Sequence, residues 1–224
     1  MPKIIIPLKP KNLAEAKKLI SKAGKAADII EVWLDGVEDL NQAKVAAIVK
    51  LTKKPVILNL KDKKEKGVFR GKDSERFALL TKSKAAYVDL PLSFPAKLIQ
   101  QFRKENPQTK LILSFHDFTE MPSIQALRQL SKKAIQLKAD VIKLVGFAKK
   151  FSDNLPILQI SHELAETKKE FLTIAMGEKG EVTRSITPLL GGLGMFALLD
   201  AKNKTAAGQI PAKELRQLWE KFEE

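Results

Sequence analysis

One unit recurs along this chain: a short apolar run, a polar break, an amphipathic helical stretch, then another apolar run. Clear runs lie at 3–8, 29–34, 56–60, 86–90, 111–115, 141–145 and 171–176, and a weaker eighth covers 194–198. Most are nearly continuous rather than alternating, which suits parallel strands covered on both faces. Between them, apolar residues fall at helical spacing. Examples are Leu13, Ala16, Ile20 and Ala23; Leu127, Leu130, Ala134 and Leu137; and Leu215, Leu218 and Phe222 near the C-terminus. Three helix-to-strand junctions look alike: Lys25-Ala-Ala-Asp-Ile, Lys84-Ala-Ala-Tyr-Val and Lys138-Ala-Asp-Val-Ile. Small residues there let a helix end dock closely on the next strand.

Strands alternating with helices over 224 residues predict an α/β fold, a (β/α)8 TIM barrel, with 1–224 as a single domain. A doubly wound open sheet is the alternative. It usually has fewer strands, and no Gly-rich fingerprint follows Leu8. No Pro/Gly/Ser linker or low-complexity segment divides the chain.

Composition removes several classes of function. A hydrophobic fraction of 44% is that of a folded domain. With no cysteine there is no disulfide, no thiolate metal site and no cysteine nucleophile, and two histidines exclude a His-rich metal centre. The first residues, MPKIIIPLKPK, do not read as a secretory signal, and the apolar stretch 186–199 is too short and too rich in glycine to span a bilayer. A soluble, cytoplasmic protein without a membrane partner is expected.

The net charge of +14 comes mostly from lysine: only Arg70, Arg76, Arg103, Arg128, Arg184 and Arg216 are arginines. The densest cluster, from Lys61 to Lys72, has only Phe69 among its cations. Nucleic-acid readers favour arginine forks and interleaved aromatics, so a solvated lysine surface is the expectation and nucleic acid is not. Such a surface draws anionic small molecules inward.

In a barrel of this kind the chemistry sits at the C-terminal ends of the strands. The polar residues there are Glu31 and Asp35, Lys61 and Glu65, Asp89, His116 and Asp117, Lys143, Arg184 and Gln209. Lys143 stands inside Val-Ile-Lys-Leu-Val, where burial penalises an ammonium. It is either a desolvated amine that attacks carbonyls or a lysine whose stem packs while its head reaches solvent. His116 ends the preceding run, so a barrel places it beside Lys143 at one mouth; an amine and a proton shuttle together suit chemistry alpha to a ketone. His162, among Ser161, Glu163 and Glu166, reads as a surface residue. Glu65 is either part of a charged loop or a carboxylate that orients His116. Arg184 is placed to clamp a carboxylate. Gly191-Gly192-Leu193-Gly194 is either a phosphate cradle or a site of close packing.

Taken together these segments resemble type I 3-dehydroquinate dehydratase, the Schiff-base enzyme of the shikimate pathway. Glu31-Val-Trp-Leu-Asp35 resembles the family's Glu-x-Arg-x-Asp strand. The segment from Leu58 through Glu65 to Gly67 resembles Thr-x-Arg-x-x-x-Glu-Gly-Gly, and Ser114-Phe-His-Asp-Phe118 matches Ser-x-His-Asp-Phe. Asp140-Val-Ile-Lys143 matches the strand bearing the Schiff-base lysine. Met176 to Arg184 resembles Met-Gly-x-x-Gly-x-x-Ser-Arg, and Ala206-Ala-Gly-Gln-Ile210 resembles Ala-Pro-Gly-Gln-Ile.

The resemblance implies roles. Lys143 forms the imine, His116 moves protons, and Glu65 holds His116. Arg184 and Gln209 grip the carboxylate and ring hydroxyls, Glu31 binds the hydroxyl face, and Thr205 stands where the family has a serine. No cofactor or metal is implied, a homodimer is, and residues 202–209 are the expected lid. Two departures matter: Trp33 and Lys61 stand where the family has substrate-binding arginines, so charge is lost at the first and the planar fork at the second. Two alternatives stay open, a Schiff-base lyase for another small anionic hydroxy-ketone and a barrel that only binds.

Overall fold

A computed structural model of the chain describes residues 1–200 and 205–223. Its elements alternate: β1 Lys3–Leu8, α1 Leu13–Ala23, β2 Ile29–Trp33, α2 Gln42–Val49, β3 Val56–Asn59, α3 Asp73–Leu80, β4 Tyr87–Pro91 and α4 Ala96–Glu105. They continue with β5 Lys110–His116, α5 Ile124–Gln136, β6 Val141–Phe147, α6 Asn154–Glu166, β7 Glu170–Met176, α7 Glu181–Ile186, β8 Gly194–Phe196 and α8 Ala212–Glu223. All strand pairs are parallel, and the strands neighbour one another in the order β7-β6-β5-β4-β3-β2-β1-β8. The expected (β/α)8 barrel is what forms, nearly closed. Among the described residues no ladder joins β7 to β8; there Leu193 N–H donates to the Phe171 carbonyl at 2.9 Å. No described helix is long and apolar enough to cross a membrane.

The near-continuous runs have their cause in this architecture. In β1, Ile4, Ile5 and Ile6 are all fully buried, because one face meets the barrel interior and the other meets the helices. Ala16, Ile20 and Ala23 press α1 onto that shell, and Leu127 and Ala134 do the same for α5. Two of the look-alike junctions work through a left-handed residue: Lys84 (φ 59°) and Lys138 (φ 60°) turn the chain, and buried Ala85 and Ala139 follow.

The C-terminal helix corrects one expectation. Phe222 is 59% exposed, and α8 docks instead through Ala212, Leu215 and Trp219. Trp219 offers the larger apolar surface on that face, and its Nε1–H finds the Ser185 carbonyl at 3.0 Å.

The eighth strand is short, and its glycine run is a packing device rather than a cradle. A Cβ on Gly194 would lie 2.1 Å from the Lys3 carbonyl oxygen. Gly194 pairs with Lys3 in the β1–β8 ladder, so the closure of the barrel on this side depends on a residue without a side chain. Gly194→Ala is expected to lower unfolding stability by about 1–3 kcal/mol or more, as overpacking does, read as a lower denaturant midpoint.

Candidate active site

Strand register assembles the site. Trp33 on β2 lies opposite Asn59 on β3, and Asn59 lies opposite Asp89 on β4. Across β5 and β6, Ser114 pairs with Lys143 and His116 with Val145. One small cavity of about 60 Å³ collects Glu31, Trp33, Lys61, His116, Lys143, Arg184, Thr205 and Gln209, with Phe118, Val145, Ile174, Met176, Phe196 and Ala206 completing its wall. Every residue expected at the site lines it except Glu65, which lies behind the wall. Asp35 and Asp117 serve the loops: Asp35 accepts from Val68 N–H at 3.0 Å, and Asp117 accepts from Thr119 and Glu120 N–H at 2.9 and 3.0 Å.

Lys143 is 3% exposed, yet its ammonium is well partnered. It donates to Asp89 Oδ2 at 2.7 Å and lies 3.5 Å from Glu31 Oε1. Asn59 ties the two carboxylates together, donating to Glu31 at 3.4 Å and to Asp89 at 3.3 Å. Burial alone would lower the Lys143 pKa; the charges of Asp89 and Glu31 and the Asp89 hydrogen bond outweigh it and raise the value above the ordinary one. For Glu31 burial pushes upward, but Lys143, Lys61 and hydrogen bonds from Trp33 and Asn59 hold the carboxyl below its usual range.

Lys61 is the opposite case. It is 4% exposed, and no carboxylate lies in ion-pair range of its Nζ among the described residues. Burial and then the positive charge of Lys143 lower its pKa, and Glu31, Asp89 and Glu65 offset this only in part. His116 is driven the same way, well below the ordinary histidine value, by desolvation and the charges of Lys61 and Lys143. These influences favour the neutral imidazole over the cation. Its ring stacks on Phe118, centroids 5.6 Å apart and planes within 6°.

Trp33 does more than fill space. Its Nε1–H donates to Glu31 Oε2 at 2.7 Å, and the ammonium groups of Lys9 and Lys61 lie 3.9 and 4.0 Å from the ring centroid. The indole thus keeps a donor on Glu31 and gathers cations without carrying charge itself.

Arg184, on α7, is 1% exposed, with Nη2 donating to the Ala207 carbonyl at 3.1 Å and Nη1 3.8 Å from Met195 Sδ. Its Nε has no hydrogen-bond partner among the described residues, and burial pushes its pKa down to about 10. A buried guanidinium with no carboxylate in range has donors left to offer an anion. Gln209 sits beside it, its Oε1 accepting from Thr205 N–H, Ala206 N–H and the Thr205 hydroxyl at 2.8, 3.1 and 3.2 Å. Gly208 (φ 74°) allows this approach, since a Cβ there would lie 2.5 Å from the Gly177 carbonyl oxygen. Of the expected lid, residues 202–204 lie outside the described residues.

Glu65 does not touch His116. Its Oε2 lies 3.0 Å from Arg76 Nη1, and neither carboxylate oxygen accepts a hydrogen bond among the described residues. Burial raises its pKa, with Arg76 opposing.

The model of the family described as type I 3-dehydroquinase matches residues 4–223. The chain belongs to the type I 3-dehydroquinase family. A relative in that family, the 3-dehydroquinate dehydratase of Methanococcus maripaludis strain C7, is 31% identical over 220 residues, covering 96% of this chain and 97% of its own. Two solved 3-dehydroquinate dehydratases share the fold. That of Geobacillus kaustophilus superposes with a TM-score of 0.91 at 22% identity, covering 100% of this chain and 91% of its own. That of Aquifex aeolicus gives 0.81 at 26%, covering 99% of each. Type I 3-dehydroquinases are hydro-lyases, so the chain is an enzyme of that class.

Asp89 and Asn59 are the site residues that sequence reasoning left without a role; the available signal was a polar residue inside an otherwise apolar run, as for Lys143. Lys9, just past the end of β1, carried no such signal. Because Asp89 is the main charge raising Lys143, Asp89→Asn is expected to move the pH midpoint of Lys143 carbamoylation by cyanate downward, followed by peptide mass mapping. An unchanged midpoint would remove Asp89 from this role.

Proposed function

We propose that the protein dehydrates 3-dehydroquinate to 3-dehydroshikimate, a step of the shikimate pathway toward aromatic amino acids, through an imine on Lys143. One observation carries the reading: a buried lysine, a histidine and a buried guanidinium with no carboxylate in ion-pair range line one cavity.

The steps follow from that arrangement. The Lys143 ammonium must first lose a proton, and Asp89 at 2.7 Å is in place to accept it. The amine then bonds to C3 of the substrate, and the ketone oxygen takes one proton from the nitrogen and the one held by Asp89 and leaves as water, giving an iminium. Neutral His116 removes a C2 proton, and the electron pair flows into the iminium to form an enamine. The enamine expels the C1 hydroxyl, which takes the proton back from His116 and departs as water. Hydrolysis of the imine frees product and amine. No step calls for a metal or an organic cofactor.

The remaining residues bind a small anionic molecule. Arg184 and Gln209, with Thr205, take the carboxylate and neighbouring hydroxyls, and Glu31 accepts from the hydroxyl face. Lys61 adds a cation at the strand end, and Trp33 forms a wall. The resemblance assigns Glu65 to His116; in the resting geometry Glu65 contributes negative charge near Lys61 and Lys143.

Borohydride reduction in the presence of 3-dehydroquinate, with peptide mapping, should place a stable adduct on Lys143 while product forms in unreduced samples. Lys143→Ala should give no adduct; normal turnover by that variant would sink the mechanism. An adduct with a different hydroxy-ketone and none with 3-dehydroquinate would shift the substrate. His116→Ala is expected to lower kcat by about 10²–10⁴-fold, the span of lost general acid–base catalysis.

A further inference from the structure

The loop 61–67 after β3 is held from behind by a residue outside the cavity. Arg76, on α3, is 1% exposed, which is unusual for a guanidinium. Its Nη1 lies 3.0 Å from Glu65 Oε2 and its Nη2 3.4 Å from Asp62 Oδ2, so one planar fork spans two carboxylates of the same loop. The Phe69 and Phe94 rings flank it at 5.8 and 5.9 Å. Asp62 in turn organises the loop, its side chain accepting from Lys64 and Glu65 N–H at 2.8 and 3.2 Å.

This loop reaches the proposed proton-transfer pair at two points. Lys61 lines the cavity, and Lys66 Nζ lies 4.5 Å from the centroid of Phe118, the ring stacked on His116. Charge pairing points the same way. Glu31, Glu65 and Asp89 are three buried acids, and Lys61, Lys143, Arg76 and Arg184 are four buried cations. Among the described residues Arg76 is the cation in ion-pair range of Glu65, in a region where an unpaired charge is costly.

We infer that Arg76 is a positioning residue that acts through Glu65, anchoring the loop 61–67 and supplying the charge that pairs with the buried Glu65 carboxylate. This rests on the proposed reading of Glu65 and His116. Arg76 itself touches no substrate.

Steady-state kinetics across pH on Arg76→Gln, Arg76→Lys, Glu65→Gln and the Glu65→Gln/Arg76→Gln double variant test it. The groups facing Glu65 are Arg76 from α3, Asp62 in its own loop, Lys61 at the end of β3, Asp89 from β4 and, at longer range, Lys143 from β6. Arg76 is the largest of these charges favouring ionisation. Its removal makes Glu65 harder to ionise, so the acid limb of kcat in Arg76→Gln should move to higher pH. We expect kcat to fall between about ten- and a hundredfold, the scale of a misplaced catalytic group, with KM changed less than about threefold. Arg76→Lys keeps the charge but cannot span both carboxylates; its acid limb should stay in place while kcat falls several-fold. In the Glu65→Gln background, Arg76→Gln should add little.

Equal losses from Arg76→Gln with and without Glu65 would overturn the inference and leave the reading of Glu65 intact. A normal kcat in Glu65→Gln would overturn both. If Arg76→Gln does not fold, Arg76→Lys decides: a wild-type kcat refutes the anchor. Borohydride trapping on Lys143 in each variant separates these outcomes from failure of the imine mechanism.

Discussion

Six of the seven buried charges among the described residues, all but Arg184, are the constraint on which this structure turns. Glu31, Glu65 and Asp89 stand against Lys61, Arg76 and Lys143, each less than 9% exposed. Taking such groups from water costs several kcal/mol per ion, repaid only by close partners. The partners are close: Asp89 to Lys143 at 2.7 Å, Glu65 to Arg76 at 3.0 Å, with Asn59 bridging the two strand carboxylates. The surrounding shell, apolar from Ile4 to Leu8 in β1 and across most of β2 and β6, supplies the stability that this cluster does not. Deleting any one member would strand its neighbour, so protonation and packing here are set jointly.

The cluster divides its two lysines by their surroundings. Lys143, inside a strand, has two carboxylates and is held as an ammonium in a defined place. Lys61, at the end of the neighbouring sheet region, has an indole instead of a carboxylate and is the weaker base. An arginine at 61 would never release its proton under ordinary conditions. The lysine there, its pKa lowered by burial and by Lys143, holds its charge less firmly than an arginine would.

Much of this was legible in the linear chain because parallel strands must be apolar on both faces. That rule exposed the strands, and it made Lys143, Glu31 and His116 conspicuous as polar interruptions. It also marked Asp89, yet without the register nothing said that Asp89 points at Lys143. Glu65 illustrates the limit: a loop residue has no periodicity, so its true neighbour, Arg76, sits on the following helix where sequence shows only one more cation. The same blindness explains Phe222. Helical spacing allows several faces, and the choice of Trp219 is made by what it packs on. Lys9 and the stack on Trp33 are purely three-dimensional.

Trp33 has one more consequence. The chain contains two tryptophans. One, Trp219, is sealed beneath α8; the other lines the cavity, hydrogen-bonded to Glu31 and close to two ammonium groups. Indole emission responds to nearby charge and polarity, so Trp33 equips the protein with an intrinsic optical reporter of the cavity. The buried Trp219, away from the cavity lining, contributes the background against which it is read.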